Sequence, residues 1–242
     1  MTDYFNGEYE TNEHTVLKVT TLNGQIEITS WDGETVLFNA IKKSKFGQEE
    51  LDKVKINVVE SENRIEIETK YTGQRTTSPS VDMNIKVPRN ITVESATTSN
   101  GAVQISETKG DIFATNSNGV IIIENVDGYV SATTSNGRIE VNGTTGIKDL
   151  KSSNGGIYAE IYDFQENLSV STSNGGITIY MNPSLNTNIE MTTSNGQITI
   201  SGISLNFTIS EEKHKVGRLG DGGNTIDIHT SNGNINLHKL TI

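Results

Sequence analysis

The groups that could do chemistry in this chain are scattered acids, three neighbouring tyrosines and four histidines, and each can be placed by its distance from a recurring Ser-Asn-Gly phrase. Glycoside hydrolysis or polysaccharide elimination needs two carboxylates, or an acid beside Lys or Arg, close together on one face. Asp111, Asp127, Asp149 and Asp163 occupy unlike places in their repeats, so stacking the repeats in order does not gather them. Glu140 and Glu160 fall in columns two positions apart. Glu124 and Glu160 share a column, but Asn142 stands between them, which sets them about two strand spacings, ~9.5 Å, apart. No catalytic residue is assigned on this pattern, and the chain is expected not to be an enzyme.

Metal and cofactor chemistry is equally thin. Leu219-Gly220-Asp221-Gly222-Gly223-Asn224 resembles one copy of a calcium-binding nonapeptide, a site built only between successive copies. The histidines are His14, His214, His229 and His238. His229 and His238 flank one strand of the last repeat, but no Asp or Glu stands at a ligand-like spacing from them. No metal and no cofactor is expected. An ice-binding face would need an unbroken outward threonine ladder. The column Thr97, Thr115, Thr133, Lys151, Ser171, Thr192, His229 is interrupted by Lys151 and His229. What remains is aromatic: Tyr158, Tyr162 and Tyr180 can form a sugar-stacking patch, and Tyr158 and Tyr180 are the candidate ligand contacts.

These residues must be held by the repeat itself. Ser-Asn-Gly occurs seven times, with its asparagines at Asn100, Asn118, Asn136, Asn154, Asn174, Asn195 and Asn232. The spacings are 18, 18, 18, 20, 21 and 37, the last close to two repeats with one signature lost. A fixed period of this length means one supersecondary unit stacked on itself. Three and five residues after each Asn the chain is apolar, as in Ile139 and Val141 or Ile177 and Ile179. Four residues after, the column is mixed. This alternation of period two predicts a strand with one face buried. Four residues before each Asn stand Ala96, Ala114, Ala132, Leu150, Val170, Met191 and Ile228, which predicts a second inward-facing strand. Six before, the column is apolar apart from Glu94 and Lys148.

Asn and Gly both tolerate positive φ, so the phrase predicts a sharp corner between the two strands. The seven asparagines are expected to form a structural corner ladder, and the small hydroxyls two residues before them to bond one another or the corner backbone. Asn-Gly is also a hairpin signal, but identical turns at one period favour a parallel coil over a meander. The N-terminal third carries the same grammar less regularly. Asn23, Glu62 and Asn100 are 39 and 38 residues apart, which suggests two coils in each interval.

The chain has 242 residues, a net charge of -11 and no cysteine. Disulfides, Cys-ligated zinc and thiol catalysis are therefore excluded. The acidic balance disfavours nucleic acid and anionic lipid, whose phosphates need Lys and Arg. The first residues show neither a basic segment nor an apolar one, so no signal peptide is expected here. No run has the length of a membrane span, and no membrane insertion is expected.

The run Val81-Asp82-Met83-Asn84-Ile85-Lys86-Val87-Pro88-Arg89-Asn90-Ile91-Thr92-Val93, leading into Thr-Ser-Asn-Gly repeats, is similar to the opening strand of a bacterial putative-adhesin domain family of unknown function, related to the auto-transporter adhesin head (GIN) domain. The resemblance covers about residues 15–240. It implies a β-helix at the bacterial cell envelope or in its stress response, and it supplies no catalytic residues. The expected fold is all-β: a single-stranded β-helix, a right-handed β-solenoid with 18–21 residues per coil. One domain spans 1–242, with less regular coils over 1–95, an insertion near 42–53, regular repeats over 96–242 and an interruption near 211–224. The expected function is a non-enzymatic binding or scaffold module whose partner is a surface glycan or protein. The alternatives are a carbohydrate-active β-helix enzyme and a cytoplasmic regulatory domain of an envelope-stress protein.

Overall fold

The computed structural model describes residues 1–72 and 79–241. The chain divides into two compact units, Met1–Asp127 and Gly128–Ile242. In the first unit the strands are β1 (Thr2–Glu10), β2 (Val16–Thr20), β3 (Ile26–Trp31), β4 (Thr35–Lys43), β5 (Val54–Ser61), β6 (Arg64–Tyr71), β7 (Ser80–Pro88), β8 (Thr92–Asn100), β9 (Val103–Ser106), β10 (Ile112–Asn118) and β11 (Ile121–Glu124). One sheet runs β1-β4-β7-β3-β9-β11 and the other β10-β8-β2-β6-β5. A single-turn helix, α1 (Gln48–Leu51), fills the expected insertion near 42–53 and buries Leu51. No helix among the described residues is long and apolar enough to cross a membrane.

The strands form because their apolar residues alternate, and burial follows that alternation. Leu17, Val19, Ile26, Ile28, Ile65, Ile67, Val103 and Ile105 are at most 2% exposed, while their neighbours face out. Each such side chain contributes roughly 1.5–3 kcal/mol when fully buried.

The order of the coils is not the order of the sequence. The first coil, β2 and β3, lies between two later ones: β2 pairs in parallel with β6 and β8, and β3 with β7 and β9. Asn23 is therefore bridged directly to Asn100 across 77 residues, not separated from it by further coils. Glu62 is no coil corner either. It sits in the hairpin turn between β5 and β6, where Ser61 pairs with Arg64. Antiparallel strands cover the ends of the sheets: β5 on β6, and β4 followed by β1 on β7.

The second unit repeats this arrangement. Its strands are β12 (Tyr129–Asn136), β13 (Ile139–Asn142), β14 (Gly146–Asn154), β15 (Ile157–Ile161), β16 (Leu168–Asn174), β17 (Ile177–Met181), β18 (Thr187–Asn195), β19 (Ile198–Ser201), β20 (Asn206–Ser210), β21 (His214–Leu219), β22 (Thr225–Asn232) and β23 (Ile235–Lys239). The sheets run β13-β15-β17-β23-β19 and β12-β14-β16-β22-β18-β21-β20. The last coil, β22 and β23, is thus inserted between the coil before it and the one before that. The long final spacing does not conceal a lost repeat. It holds the antiparallel hairpin β20–β21, which pairs with β18 and occupies the interruption near 211–224. Ile198 and Ile200 are half-exposed because β19 ends its sheet.

The two exceptions in the inward column, Glu94 and Lys148, are β-bulges. Register shifts between Leu17 and Lys18 and between Val130 and Ser131 leave these residues outside the pairing. Val93 and Ile147, both fully buried, take the inward place.

Three kinds of contact close the corners of the second unit. The Asn amides form a one-way ladder: Asn154 donates to Asn136 at 2.9 Å, Asn174 to Asn154 at 2.8 Å, Asn232 to Asn174 at 2.9 Å and Asn195 to Asn232 at 2.8 Å. The glycine N–H donates to the Asn carbonyl of the next coil, as Gly175 does to Asn232 at 3.0 Å. The buried hydroxyl two residues before four of these Asn donates to the glycine carbonyl of the preceding coil: Ser152 to Gly137, Thr172 to Gly155, Thr230 to Gly175 and Thr193 to Gly233; that of Thr134, before Asn136, is buried without a partner. In the first unit Asn118, Asn100 and Asn23 continue the same pattern among themselves.

The glycine serves close approach more than positive φ. Corner φ is positive at Gly24, Gly101 and Gly119, but at Gly155, Gly175, Gly196 and Gly233 it lies outside the left-handed region. What these four share is contact: a Cβ on Gly155 would lie 1.9 Å from the carbonyl oxygen of Gly137, and one on Gly175 2.2 Å from that of Gly155. Gly175→Ala should therefore force two coils apart and cost about 2 kcal/mol or more, in the range of a lost buried hydrogen bond and strain. Gly176→Ala next door, whose Cβ would stand 3.5 Å from the Asn234 carbonyl, should be near neutral. Denaturant unfolding of the two variants checks this; equal midpoints would mean that the corner has room.

Candidate functional site

Strands β15, β17 and β23 lie side by side in the second unit and turn alternate residues outward. Tyr180 is in register with Glu160 on one side and His238 on the other, and Tyr158 sits diagonally one step away, opposite Thr178. The Tyr158 and Tyr180 ring centroids are 5.5 Å apart with planes tilted by 45°. Tyr180 and His238 are stacked at 5.0 Å and 26°. Offset and tilted pairs at these distances are the favourable ones for π-systems. The three rings make a half-exposed aromatic strip across three strands.

Carboxylates edge this strip. Glu160 Oε2 accepts from the Tyr162 hydroxyl and from the Gly143 N–H, both at 3.1 Å. Arg138 Nη2 lies 3.3 Å from Glu140. Burial first, and then the negative charge of Glu160, raise the Tyr158 phenol above its ordinary value. The same two causes and the hydrogen bond to Glu160 raise Tyr162. Both phenols therefore stay protonated, and remain donors, throughout the physiological range. The strip can stack against an apolar face and hydrogen-bond at its edges, which is what a sugar ring offers.

Of the residues singled out from the sequence, Tyr158, Tyr162 and Tyr180 are brought together, with Glu160 among them. Glu124 belongs to the first unit. His229 and His238 do not meet: His229 is on β22 in one sheet and His238 on β23 in the other. His238 was legible only as a lone histidine. In sequence order the neighbour of Tyr180 in that column would be Ser201, and the inserted last coil puts His238 there instead.

The same insertion overturns the expectation that no acids are gathered. On the outer face of the other sheet, Asp227 is in register with Glu190 on β18, and Glu190 accepts from His214 Nε2 at 3.0 Å. Burial against the sheet and the charge of Glu190 raise the Asp227 carboxyl, with His229 opposing them. The Gly-rich stretch read against a calcium motif is held by amides: Asn186 Oδ1 accepts from the Asp221 N–H at 2.8 Å, and Asn188 donates to the Gly223 carbonyl at 2.7 Å. Among the described residues no group of three or more His, Asp or Glu is placed to hold a metal ion.

One family model matches residues 8–238, the Toastrack DUF4097 model. The chain belongs to the Toastrack DUF4097 family. Solved structures similar to this Toastrack chain include a putative cell adhesion protein from Clostridium sporogenes ATCC 15579, with 15% identity over 99% of this chain and 100% of that one, at a TM-score of 0.40. A putative adhesin from Bacteroides fragilis NCTC 9343 has 12% identity over 98% and 97%, at a TM-score of 0.44. A putative lipid binding protein from Parabacteroides distasonis ATCC 8503 has 11% identity over 99% and 97%, at a TM-score of 0.35. No curated protein matches the chain.

The Asp227 environment gives a pH test. Its folded pKa is raised, so its contribution to stability is fully present below the ordinary carboxylate range of ~3.9 and is lost as pH rises through the folded value. At neutral pH the ionised group opposes folding. Asp227→Asn should raise the melting temperature near pH 7 and lose that advantage in acid. The gain should stay below about 1 kcal/mol, because the side chain keeps contact with water. Melting curves across pH check the sign; a loss of stability at neutral pH would contradict it.

Proposed function

We propose that this chain is a non-enzymatic binding module of the bacterial cell envelope, and that the strip of Tyr158, Tyr180 and His238 is its ligand contact. The observation that carries the reading is the strip itself: three rings in van der Waals reach on an exposed sheet face, edged by Glu160 and the Tyr162 hydroxyl. A surface glycan fits this chemistry, with its ring faces against the aromatics and its hydroxyls on the carboxylate edge. The envelope placement rests on the adhesin-like resemblance of the opening strand and repeats, as does the relation to the auto-transporter head domain. The asparagine ladder serves the corners, since each amide is used by its neighbours. We read the stacked coils as a right-handed solenoid of 18–21 residues per coil. In-register asparagines 18 and 20 residues apart support the coil length, and the hand is the one favoured by parallel crossovers. A single family model over residues 8–238 supports one domain.

A second reading is favoured by one observation. Asp227 and Glu190 are cross-strand neighbours with one pKa raised, the pairing that a carbohydrate-active enzyme uses as acid and base. Incubation with pectin, peptidoglycan, teichoic acid and neutral oligosaccharides, with and without calcium, separates the two. Retention of a glycan without product is expected, and Tyr158→Ala with Tyr180→Ala should weaken it by about tenfold or more. Turnover that disappears in Asp227→Asn would replace the binding reading with the enzymatic one.

A further inference from the structure

The first unit carries a second candidate site, of different make, at the corner opposite Asn100 and Asn118. Two depressions, of about 490 and 350 Å³, share Arg89 as a common wall. Both volumes lie in the ~300–1,000 Å³ range of small-molecule sites. Trp31, the only tryptophan of the chain, lines the larger one. Its indole N–H donates to the Thr35 carbonyl at 2.9 Å, and the ring lies directly on Gly33, where a Cβ would stand 2.1 Å from a ring atom. The indole is therefore fixed before any ligand arrives.

Arg89 spans the two depressions. Its Nε donates to Asp32 at 2.8 Å, and Nη1 lies 4.0 Å from Glu107. Side-chain bonding to Asp32 raises the guanidinium pKa further, so it is charged under all conditions of interest. Glu107 and Asn125, both in the smaller depression, hold left-handed φ values of 56° and 54° without being glycine. Ser30 Oγ donates to the Glu107 carbonyl and helps to hold that turn.

Thr108 also lines the smaller depression, but its side chain is 4% exposed and its hydroxyl is closed off from solvent, in the column of the core residue Val126, so it shapes the wall and offers a ligand no hydrogen bond.

We propose that these adjoining depressions bind a neutral oligosaccharide, with Trp31 as stacking platform and the Asp32–Arg89 pair as hydroxyl contacts. The walls argue for that class. Apart from Trp31, the larger depression is lined by Thr, Asp, Gly, Glu, Arg and Asn, so an acyl chain or apolar peptide side chain would find one apolar surface. Asp32, Glu34, Glu107 and Asp127 outnumber Arg89 and Lys109, so a polyanion would be repelled. A charged acid–guanidinium pair offers acceptors and donors at fixed spacing, which suits vicinal hydroxyls. The site goes beyond the aromatic strip and uses none of its residues.

The lone tryptophan makes the test direct. The full chain is titrated with chitotriose, cellotriose and maltotriose, and with polygalacturonate and a mixed peptide digest, while Trp31 fluorescence and binding heat are followed. Saturable binding of at least one neutral trisaccharide is expected, weakened about tenfold or more by Arg89→Met and by Asp32→Asn and unchanged by Tyr158→Ala with Tyr180→Ala. Asp32→Asn keeps the shape of an exposed side chain, so the empty protein should melt close to the parent while its affinity falls. No saturation by any neutral trisaccharide overturns the proposal. So does preferential binding of polygalacturonate or peptide, or full affinity in both Arg89→Met and Asp32→Asn. Loss of binding in the tyrosine variant alone would assign the sugar to the strip and leave this site refuted.

Discussion

The corner glycines of neighbouring coils sit so close that a β-carbon on one would lie within about 2 Å of the carbonyl oxygen of the next. That contact fixes the distance and register at which coils stack, and the rest of the fold is arranged around it. With the glycines aligned, the hydroxyls of Thr98, Ser152, Thr172, Thr193 and Thr230 reach the glycine carbonyl of a neighbouring coil, and the asparagine amides reach one another. Apolar columns on both sides of the corner then fall into line, since alternation locks facing once register is set.

Register held at the corner also explains how coils can stack out of sequence order. A coil inserted between two others needs only the same phrase to fit, and Asn232 bonds both Asn174 and Asn195. The consequence is a non-local topology. Strand β18 has no parallel partner until residues 225–232 arrive, and β16 meets β22 across 58 residues. Such pairing carries loop-closure entropy that a sequential solenoid does not, and it slows folding. The reward is that neither the first nor the last coil of the repeat ends its sheet. Antiparallel strands cover most of those ends, which protects against pairing with other chains.

Much of the fold was legible because period-two alternation and a repeated corner phrase are local signals. The inward columns, the paired strands and the asparagine ladder follow from Ile139, Ile177 and their counterparts. The order of the coils was not legible, because every corner carries the same phrase and nothing local says which copy it meets. The errors share that source: Asn23 assigned a place four coils from Asn100, and the gap before Asn232 read as a lost repeat. The glycine was recognised for positive φ, which holds at Gly24, Gly101 and Gly119; close approach, which the later corners share, is visible only once a neighbour is present. Glu94 and Lys148 stood out correctly, but a bulge needs a partner strand to define it. Tyr158 and Tyr180 were found from one column spacing; His238 entered the strip through the inserted coil.

The third ring of the aromatic strip, His238, and the Asp227–Glu190 pair are in place only if the last coil lies between its two predecessors, so that order is the structural claim most worth testing. The chain has no cysteine, which makes the order measurable by introduced pairs. Single disulfides are attempted between positions 174 and 232, 195 and 232, and 174 and 195, with each Asn replaced by Cys and oxidation followed by mass. Adjacent strands at ~4.8 Å suit a disulfide, and strands two spacings apart, ~9.5 Å, do not. The inserted order predicts rapid closure of Asn174→Cys with Asn232→Cys and of Asn195→Cys with Asn232→Cys, and none of Asn174→Cys with Asn195→Cys. Efficient closure of that last pair would mean that the coils stack in sequence order, and would contradict the account.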